Sequence, residues 1–529
     1  MTGDEATLGA TGDRVADAGV DGPGDEPPAD PADARLADAL ERVAHGAVVS
    51  VPGIVAEQAL RVAFTAALTN GFSAAGYGVF VLARRLQQFL LAIASGARTG
   101  LSRFLPNADT GVERDLVATF GILLTVAVAA AFGAGCYLVA PSLAALGGRG
   151  DQFVLFLRVF ALGLPASAWL LGVTELLRGL EEVTALTVSL RLGFPLLQVG
   201  VAVAGVVAGG LLSVGIGVLL AAGLVGVAAA VWLGRERGLR PRLRGPDAGA
   251  LRRRYLRYTA PTLGGTVATS IQHFGFYVLL ALFLDDVAGA VFAVGALVGL
   301  AVRLPLMGIN QFMPPVAAAL HGDDAREALA RLYGATSRLV LVGVTALAVP
   351  VVVFRASVMR VFGPTFVRYA DLLPAFVLAQ WVACVAGSVG ILLLMTDNQR
   401  ASFLVNASLT GVLTVIAVPV TLHFGLPGLA VVYLLMLSAN NIAEVGALYR
   451  LEGLQPLTRA HARPLVAAVP LTAATLAART LLPGLPGVAV GTIVGLAAYA
   501  AVLWRLGFAP AERRLVGTLA ARYREALRT

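Results

Sequence analysis

From residue 45 to residue 507 the chain repeats one pattern: windows of about 20 almost wholly apolar residues, separated by short polar breaks. Such a window makes a helix long enough to cross a bilayer, because each residue rises about 1.5 Å and the hydrocarbon core is about 30 Å thick. Fourteen windows are present, at approximately 45–70, 76–101, 115–140, 153–178, 184–208, 211–234, 258–284, 287–312, 333–354, 370–395, 401–424, 427–449, 464–482 and 486–507. In lipid, every backbone N–H and C=O must be satisfied inside its own segment, which favours helices. Composition agrees, with 57% hydrophobic and 14% charged residues, against about 25% charged in a typical soluble domain. The expected fold is an all-α polytopic membrane protein with about fourteen transmembrane helices, and a soluble enzyme is excluded.

Apart from five His, every basic residue is Arg, and no Lys occurs in the 529 residues. The phosphate-cradling Lys of a P-loop is therefore missing, so no ATPase motor is built in and no cofactor is expected. Transport work would draw on an ion gradient or a partner. Cys136 and Cys384 both fall in apolar windows without a Cys or His neighbour, which argues against a metal site. Residues 1–42 carry eleven acids against Arg14, Arg35 and Arg42, a net charge of 3 − 11 = −8, and read as a disordered acidic tail. The whole chain is +8, so the remainder is +16. A cationic body suits anionic membrane lipids or anionic substrates; nothing points to nucleic acid.

Nine Arg between residues 235 and 257 face only Glu236 and Asp247, a net +7 that places this linker on the cytoplasmic side. With an even number of spans, both termini are then cytoplasmic. Arg355, Arg360 and Arg368 break the rule on the opposite side, where they face only Asp371. Either that segment is an interfacial helix or the span count slips there. The chain also repeats internally. A turn before Val79-Phe80 matches one before Val291-Phe292, and Leu164-Pro165-Ala166 matches Leu373-Pro374-Ala375. These pairs divide the chain into a first six-span lobe (43–235), the Arg-rich linker (236–257), a second six-span lobe (258–450), and two further spans with a basic tail (451–529).

Four windows place polar groups on one helical face. Gln58, Arg61, Thr65 and Thr69 do so in the first, with Glu57 at the edge, and Arg84, Gln88, Ser95 and Arg98 in the second, beside Arg85. Thr262, Thr266, Thr269, His273 and Tyr277 form a stripe in the seventh window, and Arg303 and Asn310 share a face of the eighth. Cations at membrane depth cost roughly 2.5–3.5 kcal/mol each on the insertion scale, and persist where they face water, protein or a charged substrate. Guanidinium pairs bidentately with phosphate and stays charged. Blander roles compete: Glu57 and Arg61 stand at i, i+4 and can neutralise each other, Arg84, Arg85 and Arg98 can snorkel, and His273 can serve packing.

The turn leading into Gly76-Tyr77-Gly78-Val79-Phe80, the Arg-bearing helix ending in RFLPN at 103–107, FGPTF at 362–366 and GLPGLAVVYLL at 425–435 resemble polysaccharide and oligosaccharide flippases of the multidrug/oligosaccharidyl-lipid/polysaccharide (MOP) exporter superfamily. The resemblance covers roughly residues 43–510. It implies two six-helix lobes around a central cavity and translocation of lipid-linked sugars by alternating access, without catalysis. It further implies a substrate anchored by polyprenyl or dolichyl phosphate or diphosphate, a monomer in the cell membrane, and a phosphate held by Arg61, Arg84, Arg85 and Arg303. Glu57, Gln88, Arg98, His273 and Asn310 are the other candidate site residues. Two alternatives stand beside this: a cation-coupled multidrug exporter of the same superfamily, which would favour an acidic, aromatic cavity, and a membrane glycan polymerase or glycosyltransferase, which would need an acid/base pair on an outer loop, Asp285-Asp286 being the main one.

Overall fold

The computed structural model describes residues 31–507; the acidic segment 1–30 and the basic tail from 508 onward lie outside the described residues. Among the described residues every regular element is a helix. Among the described residues ten helices are long and apolar enough to cross a membrane, and two bent pairs, each taken as one span, bring the number to 12. Two of the ten, Thr184–Glu236 and Gln399–Glu452, run for 53 and 54 residues. A straight helix of that length would be about 80 Å long, more than twice the bilayer core.

Both fold back on themselves. In 399–452, Asn406 Nδ2 donates to Glu444 Oε1 at 2.6 Å and Asn398 Nδ2 to Glu452 Oε1 at 2.7 Å, contacts that residues so far apart in one straight helix cannot make. The turn is at Gly425, whose φ of 59° and ψ of −144° suit only a residue without a side chain. In 184–236 the helix loosens to π geometry over Gly205–Gly209, and the chain then turns back at Gly210. Counting each as two adds two spans to the 12, giving fourteen in the expected order.

These are α1 (Val51–Gly71), α2 (Ala74–Phe104), α3 (Gly111–Leu146), α4 (Asp151–Gly179), α5 (184–209), α6 (Gly210–Glu236), α7 (Ala248–Phe283), α8 (286–310), α9 (Arg326–Val353), α10 (Ala370–Met395), α11 (399–424), α12 (425–452), α13 (Arg459–Leu481) and α14 (Leu485–Leu506). The helix that carries α1 begins at Pro31, inside the stretch expected to be tail; proline suits a first helical turn because the N–H it lacks would be unsatisfied there.

α1 packs on α5 and, across the sequence, on α8 and α9; α2 packs on α4, α7 and α8. The first and second halves of the chain therefore meet along α1–α2 and α7–α8, while α13 and α14 pack on each other and on α9. The internal repeat has a packing counterpart. Phe80 of α2 meets Phe156 and Phe160 of α4 at 5.9 and 5.4 Å, and Phe292 of α8 meets Phe376 of α10 at 5.0 Å. Pro165 and Pro374 each sit in the first turn of a helical segment.

Segment 355–369, where the charge rule failed, forms short helices between α9 and α10, so the span count holds. Arg355 Nε donates to Asp371 Oδ1 at 2.7 Å, and Asn70 Nδ2, at the end of α1, donates to the Val361 carbonyl at 2.8 Å.

At that same end of the bundle the halves are clamped together. Arg149, in the α3–α4 turn, has a side chain 4% exposed that pairs with Asp286 at the start of α8. Its Nε donates to the Ala281 carbonyl at 3.0 Å and its Nη2 to that of Leu280 at 2.7 Å, with Leu284 a further acceptor. These are carbonyls of the last turn of α7, of which Leu280 also accepts from Leu284 N at 3.2 Å. Beside the clamp, Gly78 of α2 lies on the backbone of Asp286, where a Cβ would come within 1.8 Å of the carbonyl oxygen. Gly78→Ala should therefore cost about 1–3 kcal/mol by overpacking and lower the melting temperature of the purified protein. Gly135→Ala, with open space around its Cβ, should leave it unchanged or slightly raised.

Candidate functional site

A cavity of about 340 Å³ opens within the first half of the chain, lined by α1, α2, α4, α5 and α6 with Leu297 of α8. Its charged residues are Glu57 and Arg61 from α1 and Arg84 and Arg85 from α2. Local sequence sets this arrangement. Ser73 caps α2 by accepting from Gly76 N at 3.1 Å, which fixes the helix start and hence the register of Arg84, Arg85 and Gln88. On α1, Glu57, Arg61 and Thr65 follow at four-residue spacing and face the same space.

The four charges are not equivalent. Arg61 Nη2 pairs with Glu57 Oε1 at 2.7 Å, with the Arg61 side chain 51% exposed. Arg84 lies over the Phe64 ring at 4.9 Å. Arg85 lies over the Tyr277 ring at 5.1 Å and donates to Gln88 Oε1 at 2.8 Å. Among the described residues neither Arg84 nor Arg85 has a carboxylate within ion-pair distance. Cation–π contact holds a guanidinium in place without neutralising it. Three arginines and one glutamate leave the cavity at a formal +2. Gln198, Gln87 and Ser167 add polar groups: Gln198 Nε2 is buried without a partner, and Gln87 Nε2 donates to Ser167 Oγ at 3.2 Å.

The remaining predicted residues lie elsewhere. Arg98 pairs with Glu175 of α4 at 3.2 Å and donates to the Leu171 carbonyl at 3.4 Å; Glu175 also holds Arg178 at 3.2 Å and accepts from Ser102. The helix of α2 tightens to 3₁₀ over Ser95–Arg98, which turns the second half of its stripe out of register with the cavity. The α7 stripe seals that helix onto α2: Thr262 donates to the Gly96 carbonyl at 3.1 Å and Thr266 to that of Ile93 at 3.2 Å. His273 is exposed, with Nδ1 2.8 Å from the Thr269 carbonyl on its own helix. Arg303 does not line the cavity. It stands at the 59° bend of α8. Asn310 Oδ1 accepts from Ser388 Oγ at 2.6 Å.

Asp285 and Asp286 are both engaged in structure. Asp285 caps α8 by accepting from Ala288 N at 2.7 Å, and Asp286 holds Arg149. They offer no free acid/base pair. Cys136 and Cys384 are buried and unpaired, and among the described residues no group of His, Cys, Asp and Glu could hold a metal ion.

No family model matches the chain, and no curated protein matches it by sequence. Solved structures do. The lipid II flippase MurJ, in an inward closed conformation, superposes with a TM-score of 0.66 at 11% identity, over 86% of this chain and 97% of that one. An inward-facing multidrug-resistance MATE transporter of the MOP superfamily superposes at 0.64 with 15% identity, over 76% and 98%. A MOP-superfamily transporter from Pyrococcus furiosus, described as having a binding pocket of reversed polarity, superposes at 0.52 with 15% identity, over 78% and 94%. The chain has the fold of the MOP-superfamily transporters, a multi-pass helical membrane architecture.

Proposed function

We propose that the chain translocates a lipid-linked oligosaccharide, by alternating access, with the phosphate or diphosphate of the carrier held in the first-half cavity. The observation that carries this is the pair Arg84–Arg85: two guanidinium groups among membrane-spanning helices, facing a cavity, with no carboxylate within ion-pair distance of either among the described residues. At about 340 Å³ the space lies near the lower end of ligand cavities, which run from about 300 to 1,000 Å³. It suits the phosphate end of such a substrate, leaving the lipid in the bilayer and the glycan outside. Arg84 and Arg85 offer forked donors, Gln198 an unused N–H group, and Arg61 sits half-exposed at the rim.

The protein acts as a monomer in the cell membrane, with both termini cytoplasmic, and the cycle is driven by an ion gradient. The test is translocation in proteoliposomes of a fluorescent polyprenyl diphosphate sugar, set beside efflux of a lipophilic cationic dye. Movement of the sugar lipid without the dye supports the proposal; movement of the dye alone makes the protein a multidrug exporter. Glu57→Gln, which raises the cavity from +2 to +3, should tighten binding of the diphosphate lipid a few-fold and steepen its loss with salt. Weaker binding would mean that Glu57 orients Arg61 instead.

A further inference from the structure

The Arg149 clamp marks one end of the bundle, and α4 and α8 both start there. α5 starts after α4 ends, and Gln311 follows the end of α8, so both lie at the opposite end. There Arg191 Nη2 of α5 donates to Gln311 Oε1 at 3.0 Å, a link between the two halves of the chain. α1 runs beside this link. A Cβ on Gly53 would lie 3.8 Å from Arg191 Cδ and 3.6 Å from Thr187 Cγ2, and one on Gly308 of α8 would lie 2.7 Å from Val51 Cγ2. The first-half cavity begins one turn further along α1, where Glu57 lines it together with Leu190, Phe194 and Pro195 of α5.

Local sequence shapes the helix around Arg191. Pro195 has no N–H for the Arg191 carbonyl four residues earlier, and its ring crowds that carbonyl. The helix widens to π geometry over Thr187–Gly193, where Phe194 N bonds to the Ser189 carbonyl instead. Such turns are rare and are frequent at functional sites. Among the described residues Arg191 has no carboxylate within ion-pair distance, and Gln311 holds its guanidinium without neutralising it. Arg191 is also the first cation of a series. Its stem meets α1 at Gly53, Arg61 follows further along α1, and Arg84 lies over Phe64 beyond that. At about 1.5 Å per residue these three points on α1 are spaced by roughly 12 and 5 Å.

We propose that Arg191 is an entry site for the phosphate or diphosphate of the carrier lipid, which passes from it to Arg61 and then to Arg84 and Arg85. This rests on the reading of the first-half cavity as an anion site. A phosphate pairs bidentately with guanidinium, whereas Gln311 offers one neutral acceptor. The phosphate therefore displaces Gln311, and the same exchange releases α5 from α8. Taking a diphosphate from water into the bundle without a cation beside it carries a large desolvation cost. A cation at each level along α1 lowers that cost step by step.

The test is stopped-flow association of a fluorescent short-chain polyprenyl diphosphate with the full chain in nanodiscs. A charge on an entry path acts mainly on rates, so Arg191→Gln should slow association about tenfold and flatten its salt dependence. Dissociation should slow by a similar factor, because the phosphate leaves through the same step. Arg191→Lys should recover most of the rate. Gln311→Glu, which gives Arg191 a carboxylate, should slow association as Arg191→Gln does, and it carries the test should Arg191→Gln fold poorly. Gln311→Ala, which frees the guanidinium, should not slow it. Association unchanged in Arg191→Gln and Gln311→Glu overturns the proposal; if binding is still lost in Arg84→Ala/Arg85→Ala, the anion cavity stands. Faster dissociation at an unchanged association rate would make Arg191 part of the resting site and overturns its entry role. Equal slowing in Gln311→Ala and Arg191→Gln would make the link itself structural, which overturns it too. A wild type that binds no diphosphate overturns the cavity and the entry site together.

Discussion

Alanine at both Arg84 and Arg85 should abolish translocation of a diphosphate-linked sugar and leave the helix bundle at least as stable as before. Each guanidinium offers charge-assisted hydrogen bonds worth about 1.5–3 kcal/mol. Loss of both should weaken substrate binding by roughly 10²–10⁴-fold. Stability should move the other way, or not at all. Two cations to which the described residues give no carboxylate within ion-pair distance are a cost to the empty protein, and what is lost is the stacking on Phe64 and Tyr277, about 0.5–2 kcal/mol each, with the hydrogen bond from Arg85 to Gln88. Melting temperature and translocation rate measured on the same preparation check this. If both fall together, the arginines are structural.

The second large effect is at the clamp. Arg149→Met removes the only charged partner that the described residues give Asp286, and takes a donor from the carbonyls of Leu280, Ala281 and Leu284 at the end of α7. The Asp286 side chain left behind is 31% exposed, so the loss is that of charge-assisted hydrogen bonds, about 1.5–3 kcal/mol, and the variant should melt below the wild type. Because Arg149 joins the α3–α4 turn to the α7–α8 turn, a cysteine at position 285 should also become more reactive toward a membrane-impermeant thiol reagent. Restoring charge balance with Asp286→Asn in the same chain should recover part of the lost stability, giving a coupling energy that a double-mutant cycle reads directly. Independent, additive effects would show that the pair does not hold the halves together.

The helices were legible in the sequence because a bilayer-length apolar run admits few other structures. Even the two longest helices were divided correctly, since Gly209-Gly210 and Gly425-Leu426-Pro427 interrupt their apolar runs where the chain turns back. The site was legible only in part. Periodicity put Arg61, with Glu57 at its edge, on one face of α1 and Arg84 and Gln88 on one face of α2; the resemblance, not periodicity, brought the two helices and Arg85 to one cavity, and all five line the first-half cavity. Periodicity failed for Arg98, because it assumes 3.6 residues per turn and α2 tightens to 3₁₀ before reaching it. It grouped the α7 threonines correctly on one face but could not show that this face seals against α2. Arg303 carried no local mark of which half it would face, since the bend that decides this occurs at Arg303 itself. Gln198 and Ser167 were missed because each is a single polar residue whose position depends on how α4 and α5 pack around α2.

The central claim is that the first-half cavity is an anion site. Equilibrium binding of a short-chain polyprenyl diphosphate to the purified protein, competed by inorganic pyrophosphate and by a lipophilic cation, tests it most directly. The account predicts saturable binding displaced by pyrophosphate, indifferent to the cation, weakened by salt, and lost in the Arg84→Ala/Arg85→Ala variant. Binding of the cation in place of the diphosphate, or diphosphate binding unaltered in that variant, would contradict it.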